Sequence, residues 1–190
     1  MIEAMKIAIP DLSLVVLVGV SGSGKSTFAA RHFLPTEVVS SDVCRGLVAD
    51  DERDQSSTDD AFEVLHFIAG KRLAAGRLTV IDATNVQPLA RRALVALARE
   101  HQVPPAAIVL DLTEAVCARR NAMRADRAVA LPVLRSQRAA LRRSMGSLRK
   151  EGFVRVHILR RVEEVEAAFV ERERRETYDE PARPLADPRA

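Results

Sequence analysis

Tryptophan is absent from this 190-residue chain, and aromatic residues make up only 4% of it. That argues against a stacking platform that reads many successive bases. Cysteine is almost absent too. Cys44 and Cys117 stand alone without metal-ligand spacing, so a reduced, cytoplasmic setting is expected. No apolar run approaches the length needed to span a membrane, and Met1 to Lys6 lack the apolar stretch of a secretory signal, so no membrane partner is expected. His32, His66, His101 and His157 are scattered singly and read as structural or surface residues. What remains is ordinary for a globular domain: 47% hydrophobic and 29% charged residues, with a net charge of only +3.

Against this background one stretch is distinctive. Gly19-Val20-Ser21-Gly22-Ser23-Gly24-Lys25-Ser26 matches G-x-x-x-x-G-K-[ST] at every fixed position, with Thr27 behind it. Ahead of it, Leu14 to Val18 is an apolar run suited to a strand buried on both faces. Behind it, Ser26 to Phe33 reads as a helix with Phe28, Ala29 and Phe33 turned to a core. Gly22 and Gly24 let consecutive backbone N–H groups turn inward around a phosphate, and the helix start adds the positive end of its dipole. Ser21 to Thr27 are therefore the candidate nucleotide-binding residues. Within them Lys25 can reach the β- and γ-phosphates of ATP, and the Ser26 hydroxyl can ligate Mg²⁺, or another divalent metal such as Mn²⁺.

Further strands are predicted at 37–41, 78–82, 107–112 and 153–159, with a lead-in strand or extended arm over 5–12. Helices are predicted over 42–48, 58–75 (with Ser57 and Asp60 as a capping box), 88–100, 113–123, 132–150 and 163–175. Alternation of this kind implies an α/β fold with a five-stranded parallel sheet, in the expected strand order 2-3-1-4-5, flanked by helices. Residues 1–175 form the expected phosphate-loop domain. The proline-containing stretch 176–190 reads as a linker-like tail leading to further domains of a longer protein.

Ligands in such sheets sit beyond the carboxyl ends of the strands, where the phosphate loop, Asp42, Asp82 and the segment after Leu112 all fall. Asp82 ends its strand as a Mg²⁺-shell aspartate should. Ala83 follows it where many hydrolytic ATPases carry a water-polarising glutamate, which favours transfer to an acceptor over hydrolysis. An N/T-K-x-D guanine motif and an ATP-binding-cassette signature are both missing. Asp42 is then the candidate base for an acceptor hydroxyl, and Arg45, on the same helical face, would orient Asp42 or hold an acceptor phosphate. Arg120, Arg124 and Arg127 share a face if their segment is helical, forming an arginine-rich lid that could neutralise charge on a transferring phosphoryl group. Residues 50–60 carry about −5 and residues 119–150 about +9. Arg135, Arg138, Arg142 and Arg149 form a stripe in the basic segment, which suggests a polyanionic partner.

The ordered set Gly19–Thr27, Ser40-Ser41-Asp42-x-x-Arg45, Asp82-Ala83-Thr84-Asn85 and Arg120/Arg124/Arg127 resembles the kinase module of bacterial polynucleotide kinase-phosphatase. That enzyme is an end-healing component of RNA repair, related to phage polynucleotide kinase. The likeness runs from about Met5 to Val170. It implies transfer of the ATP γ-phosphate to the 5′-OH end of RNA or DNA. Asp42 would be general base, Arg45 would engage the acceptor, and Arg120 and Arg127 would contact ATP phosphates. The phosphatase and nucleotidyltransferase-like modules that follow in that family are absent from this chain. A small-molecule phosphotransferase and a non-catalytic nucleotide switch are the competing readings.

Overall fold

The computed structural model describes residues 5–124 and 128–174. Arg127 and the tail 176–190 lie outside the described residues, and so do the expectations placed on them.

β1 (Met5–Pro10) alternates buried Ile7 and Ile9 with more exposed neighbours. β2 (Leu14–Val18) is buried at every position, as an apolar run enclosed on both faces must be. The phosphate loop leads into α1 (Lys25–His32), then β3 (Val38–Ser40) and α2 (Ser41–Ala49). α3 (Thr58–Ala74), β4 (Thr79–Asp82), α4 (Pro88–Glu100), β5 (Pro105–Leu110) and α5 (Glu114–Ala122) follow. The chain continues through α6 (Leu131–Ser144), α7 (Leu148–Glu151), β6 (Arg155–Leu159), α8 (Val162–Ala167) and β7 (Ala168–Glu173).

The main sheet runs β3-β4-β2-β5-β6, every neighbour parallel. With the lead-in strand set aside this is the expected 2-3-1-4-5 order. Register carries functional weight here: Ser40 pairs with Asp82 and Asp82 with Leu17, so the exits of β3, β4 and β2 end level with one another. Everything that follows these strands therefore emerges at one rim of the sheet.

Three local expectations are corrected. The last helix stops at Ala167, and Ala168 to Glu173 instead pairs in parallel with β1 as a separate two-stranded sheet. Over Ala168–Glu171 the burial alternates, with Ala168 buried and Phe169 exposed, and pairing with β1 overrides helix propensity. The long helix expected to Lys150 is interrupted over Met145–Ser147 by a 3₁₀ turn. There Ser144 Oγ donates to the Ala140 and Val86 carbonyls and Ser147 Oγ to the Ser144 carbonyl and Glu151, local bonds that compete with a regular helix. Ser57 does not close a capping box with Asp60; its hydroxyl donates to Asp54, which caps the 3₁₀ turn ahead of α3.

Candidate active site

The phosphate loop is fixed at its base by the segment leaving β4. Gly19 N–H donates to the Thr84 carbonyl at 2.9 Å, and Asn85 Nδ2 donates to the Leu17 carbonyl at 2.8 Å. Gly22 (φ 78°) and Gly24 (φ 96°) take the left-handed conformation that lets the loop close on itself. A Cβ on Gly22 would collide with the Cys117 carbonyl of α5, so that position has no room for a side chain. Gly24 caps α1 without any side-chain partner, leaving the N–H groups of the first turn open to an anion. Ser26 and Thr27 are exposed on that turn, while the Ser23 hydroxyl is buried with no partner among the described residues.

Lys25 is the electrostatic centre of the loop. Its side chain is buried and Nζ donates to the Val20 carbonyl at 3.1 Å. Burial lowers its pKa to about 8, against the opposing pull of Asp82; Arg124 lowers it further, and Asp42 acts weakly the other way. A lysine held in this state lacks the counter-charge that a polyphosphate would bring. The open helix N-terminus, the glycine-shaped cradle and the under-compensated lysine together fit the phosphates of ATP.

Asp42 lies in the first turn of α2, two residues past the end of β3, with its side chain 41% exposed. Arg45 is nearly sealed off by comparison. Its Nη1 donates to Asp42 Oδ1 at 2.9 Å and to the Glu52 carbonyl at 2.7 Å. That geometry suits Arg45 to orienting Asp42. Asp82, level with Ser40 across the sheet, is buried at the carboxyl end of β4. Among the described residues no group of three or more His, Cys, Asp or Glu forms a ready-made metal cage. A Mg²⁺ ion held by one carboxylate, one hydroxyl and substrate phosphates needs none, and Asp82 with Ser26 fits that donor set.

A cleft of about 430 Å³ opens beside the loop, lined by Gly22, Gly24, Thr27, Phe28, Arg31, Arg120, Met123, Arg124, Val165 and Glu166. Arg120 and Arg124 thus meet the loop as expected, and Arg120 Nη1 reaches the Ser23 carbonyl at 3.5 Å. They do not share a helical face, because α5 ends at Ala122 and Arg124 lies beyond it. The α1 and α8 side of this cleft, Phe28, Arg31, Val165 and Glu166, carried no motif in the sequence.

The basic stripe is partly committed to the fold. Arg138 donates to the Leu112 carbonyl and Arg135, though exposed, pairs with Glu114 at 2.9 Å, whereas Arg142, Arg143, Arg149 and Lys150 are exposed. Two further residues escaped sequence reasoning. Arg91, fully buried, forms a bidentate pair with Glu151 (2.7 Å for each bond) and donates through Nη1 to the Asn85 and Val86 carbonyls at 3.0 Å. Burial works to raise the Glu151 carboxyl, but the hydrogen bonds from Arg91 and Ser147 outweigh it and hold that group below its ordinary value. Gln137 of α6 accepts the Ser21 N–H of the phosphate loop at 2.9 Å.

Comparison with known proteins agrees with this architecture. The AAA_33 family model, described as an AAA domain, matches residues 14–148. No curated protein matches the chain. Among solved structures, the Pnkp1/Rnl/Hen1 RNA repair complex superposes with a TM-score of 0.63 at 23% identity, covering 74% of this chain and 47% of that one. The chain thus spans about half the length of that relative. A gluconokinase from Sinorhizobium meliloti 1021 gives a TM-score of 0.54 at 21% identity, covering 84% and 93% of the two chains. The Mycobacterium tuberculosis APS kinase CysC, in complex with AMPPNP and APS, gives 0.51 at 17%, covering 84% and 95%. At such identities the likeness is one of fold. With the family model covering most of its length and the phosphate loop set in a 2-3-1-4-5 sheet, the chain belongs to the AAA_33 family and has the α/β P-loop kinase fold.

Proposed function

We propose that this chain transfers the γ-phosphate of ATP to the 5′-hydroxyl end of RNA or DNA. The observation that carries the reading is Asp42, part-exposed at the rim where the phosphate loop also emerges and oriented by a buried Arg45. A part-exposed carboxylate so placed suits removal of a proton from an incoming hydroxyl. In the reaction a bond forms between the acceptor oxygen and Pγ, and the bond from Pγ to the β,γ-bridging oxygen breaks. The hydroxyl proton goes to Asp42 and ADP leaves. Lys25, Arg120 and Arg124 stabilise negative charge along the phosphate chain. Ser26 and Asp82 would hold Mg²⁺, which supplies further charge neutralisation when bound.

The choice of acceptor rests on the ordered motif resemblance, the similarity to the repair-complex structure and the exposed Arg142, Arg143, Arg149 and Lys150. One observation favours a second reading, transfer to a small molecule. Arg138 is turned to the Leu112 carbonyl and Arg135, though exposed, is already paired with Glu114, which reduces the free basic surface. The deciding experiment offers radiolabelled ATP with a 5′-OH RNA oligonucleotide, a 5′-OH DNA oligonucleotide, gluconate and APS in parallel. Label in an oligonucleotide is the expected result; label in gluconate or APS alone replaces the acceptor assignment.

A further inference from the structure

We propose that Gln137 contacts the terminal phosphoryl group of the bound nucleoside triphosphate, so that the loop distinguishes a triphosphate from a diphosphate through a residue of α6. The inference rests on the reading that the loop binds ATP, and not on which acceptor follows.

The Val20–Ser21 peptide unit is gripped at both ends. Its carbonyl accepts Lys25 Nζ at 3.1 Å, and its N–H donates to Gln137 Oε1 at 2.9 Å. A backbone N–H can face only an acceptor, so this bond fixes which way round the carboxamide sits. Nε2, with two N–H donors, is then the free end, and no partner holds it among the described residues. The lysine of such a loop reaches the β- and γ-phosphates, while the backbone cradle embraces the inner phosphates. Sharing a peptide unit with Lys25 puts Gln137 at the outer end of that chain.

Gln137 is also held firmly. Its neighbour Arg138 donates to the Leu112 carbonyl just past β5. Ahead of α6, buried Asn121 exchanges two bonds with the Val129 backbone, at 2.8 and 3.1 Å. An amide with one end bonded, the other end unpaired and its helix anchored twice is built to present its donors to a ligand.

The test is calorimetric titration of the whole chain with Mg²⁺ and either AMPPNP or ADP, for the wild type, Gln137→Glu and Gln137→Leu. Gln137→Glu keeps an oxygen for Ser21 N–H but turns a carboxylate toward the phosphate. Gln137→Leu removes both ends of the amide. AMPPNP affinity should fall about tenfold or more in both variants, with ADP affinity held within about twofold. Equal losses for the two nucleotides would reduce Gln137 to a support for the loop and overturn the inference, as would no loss at all. If the wild type binds neither nucleotide, the reading of the loop falls and this inference with it. If the wild type binds both but the variants show no split, this inference alone falls. Thermal melting without nucleotide reports whether each variant is folded.

Discussion

Raising the pH from about 7 to about 9 should weaken Mg-ATP binding roughly tenfold through Lys25 alone. The side chain is buried, and its pKa of about 8 in the free protein lies well below the ordinary 10.5. A bound polyphosphate supplies the missing counter-charge and restores a pKa near or above the ordinary value. Free Lys25 is then about nine-tenths protonated near pH 7 and about one-tenth protonated near pH 9. Binding at the higher pH must draw in close to one proton, and the affinity falls by the shortfall. Calorimetry in buffers of different ionisation enthalpy counts that proton directly. Lys25→Arg stays charged throughout and should flatten the profile. A pH-independent affinity in the wild type, or a slope that survives Lys25→Arg, would refute the reasoning. The same shift acts on stability with a definite sign. The folded-state pKa lies below the unfolded one, so the folded chain binds fewer protons. The resulting destabilisation is complete below about pH 8 and vanishes above the unfolded value near 10.5. Near neutral pH it amounts to about 3 kcal/mol.

The remaining predictions follow from the same geometry. Lys25→Met should abolish nucleotide binding yet raise the stability of the free protein by up to about 3 kcal/mol near pH 7, read from urea unfolding; a less stable variant counts against a strained lysine. Glu151→Ala leaves the Arg91 guanidinium buried and unpaired and should cost about 3–5 kcal/mol, with a loss under about 1 kcal/mol showing that water already shares the pair. Asp42→Asn should lower single-turnover transfer by roughly 10²–10⁴ while sparing AMPPNP affinity. Asp82→Asn should instead raise the Mg²⁺ concentration needed for half-maximal rate; normal turnover by Asp42→Asn beside a slowed Asp82→Asn with unchanged Mg²⁺ demand would reverse the two roles.

Much of the candidate site's layout was legible because its signals are local. The phosphate loop is a contiguous pattern, and apolar runs such as Leu14–Val18 and Ala107–Leu112 announce buried strands without any knowledge of their neighbours. Asp42 and Asp82 could be placed because each directly follows or ends such a run. What escaped depends on partners far away in the sequence. Nothing near Ala168 reveals that Met5–Pro10 will pair with it. Arg91 looks like one more surface arginine of an amphipathic helix until α7 brings Glu151 against it. Arg138 reads as part of a free basic stripe, and Arg135 as an unpaired member of it, because the Leu112 carbonyl and Glu114 enter only through the packing of α6. Gln137 has no motif at all. Its meaning comes from a hydrogen bond spanning 116 residues.

The small β1–β7 sheet has a consequence for the order in which the protein is assembled. β1 is the first described element to leave the ribosome, yet the strand it pairs with, Ala168–Glu173, is the last. At about 5–20 residues per second, β1 waits roughly ten seconds or more with its hydrogen-bonding edge unmatched. The loop closed by that pairing contains nearly the whole phosphate-loop fold, so the entropy of joining its ends is recovered only once the intervening sheet has condensed. The pairing thus registers that everything between has been made and folded. The two strands run parallel, so the chain enters the ribbon at Met5 and leaves it past Glu173 at the opposite end, about 15–20 Å away. Any circular permutant of this domain needs a linker long enough to run back along the ribbon.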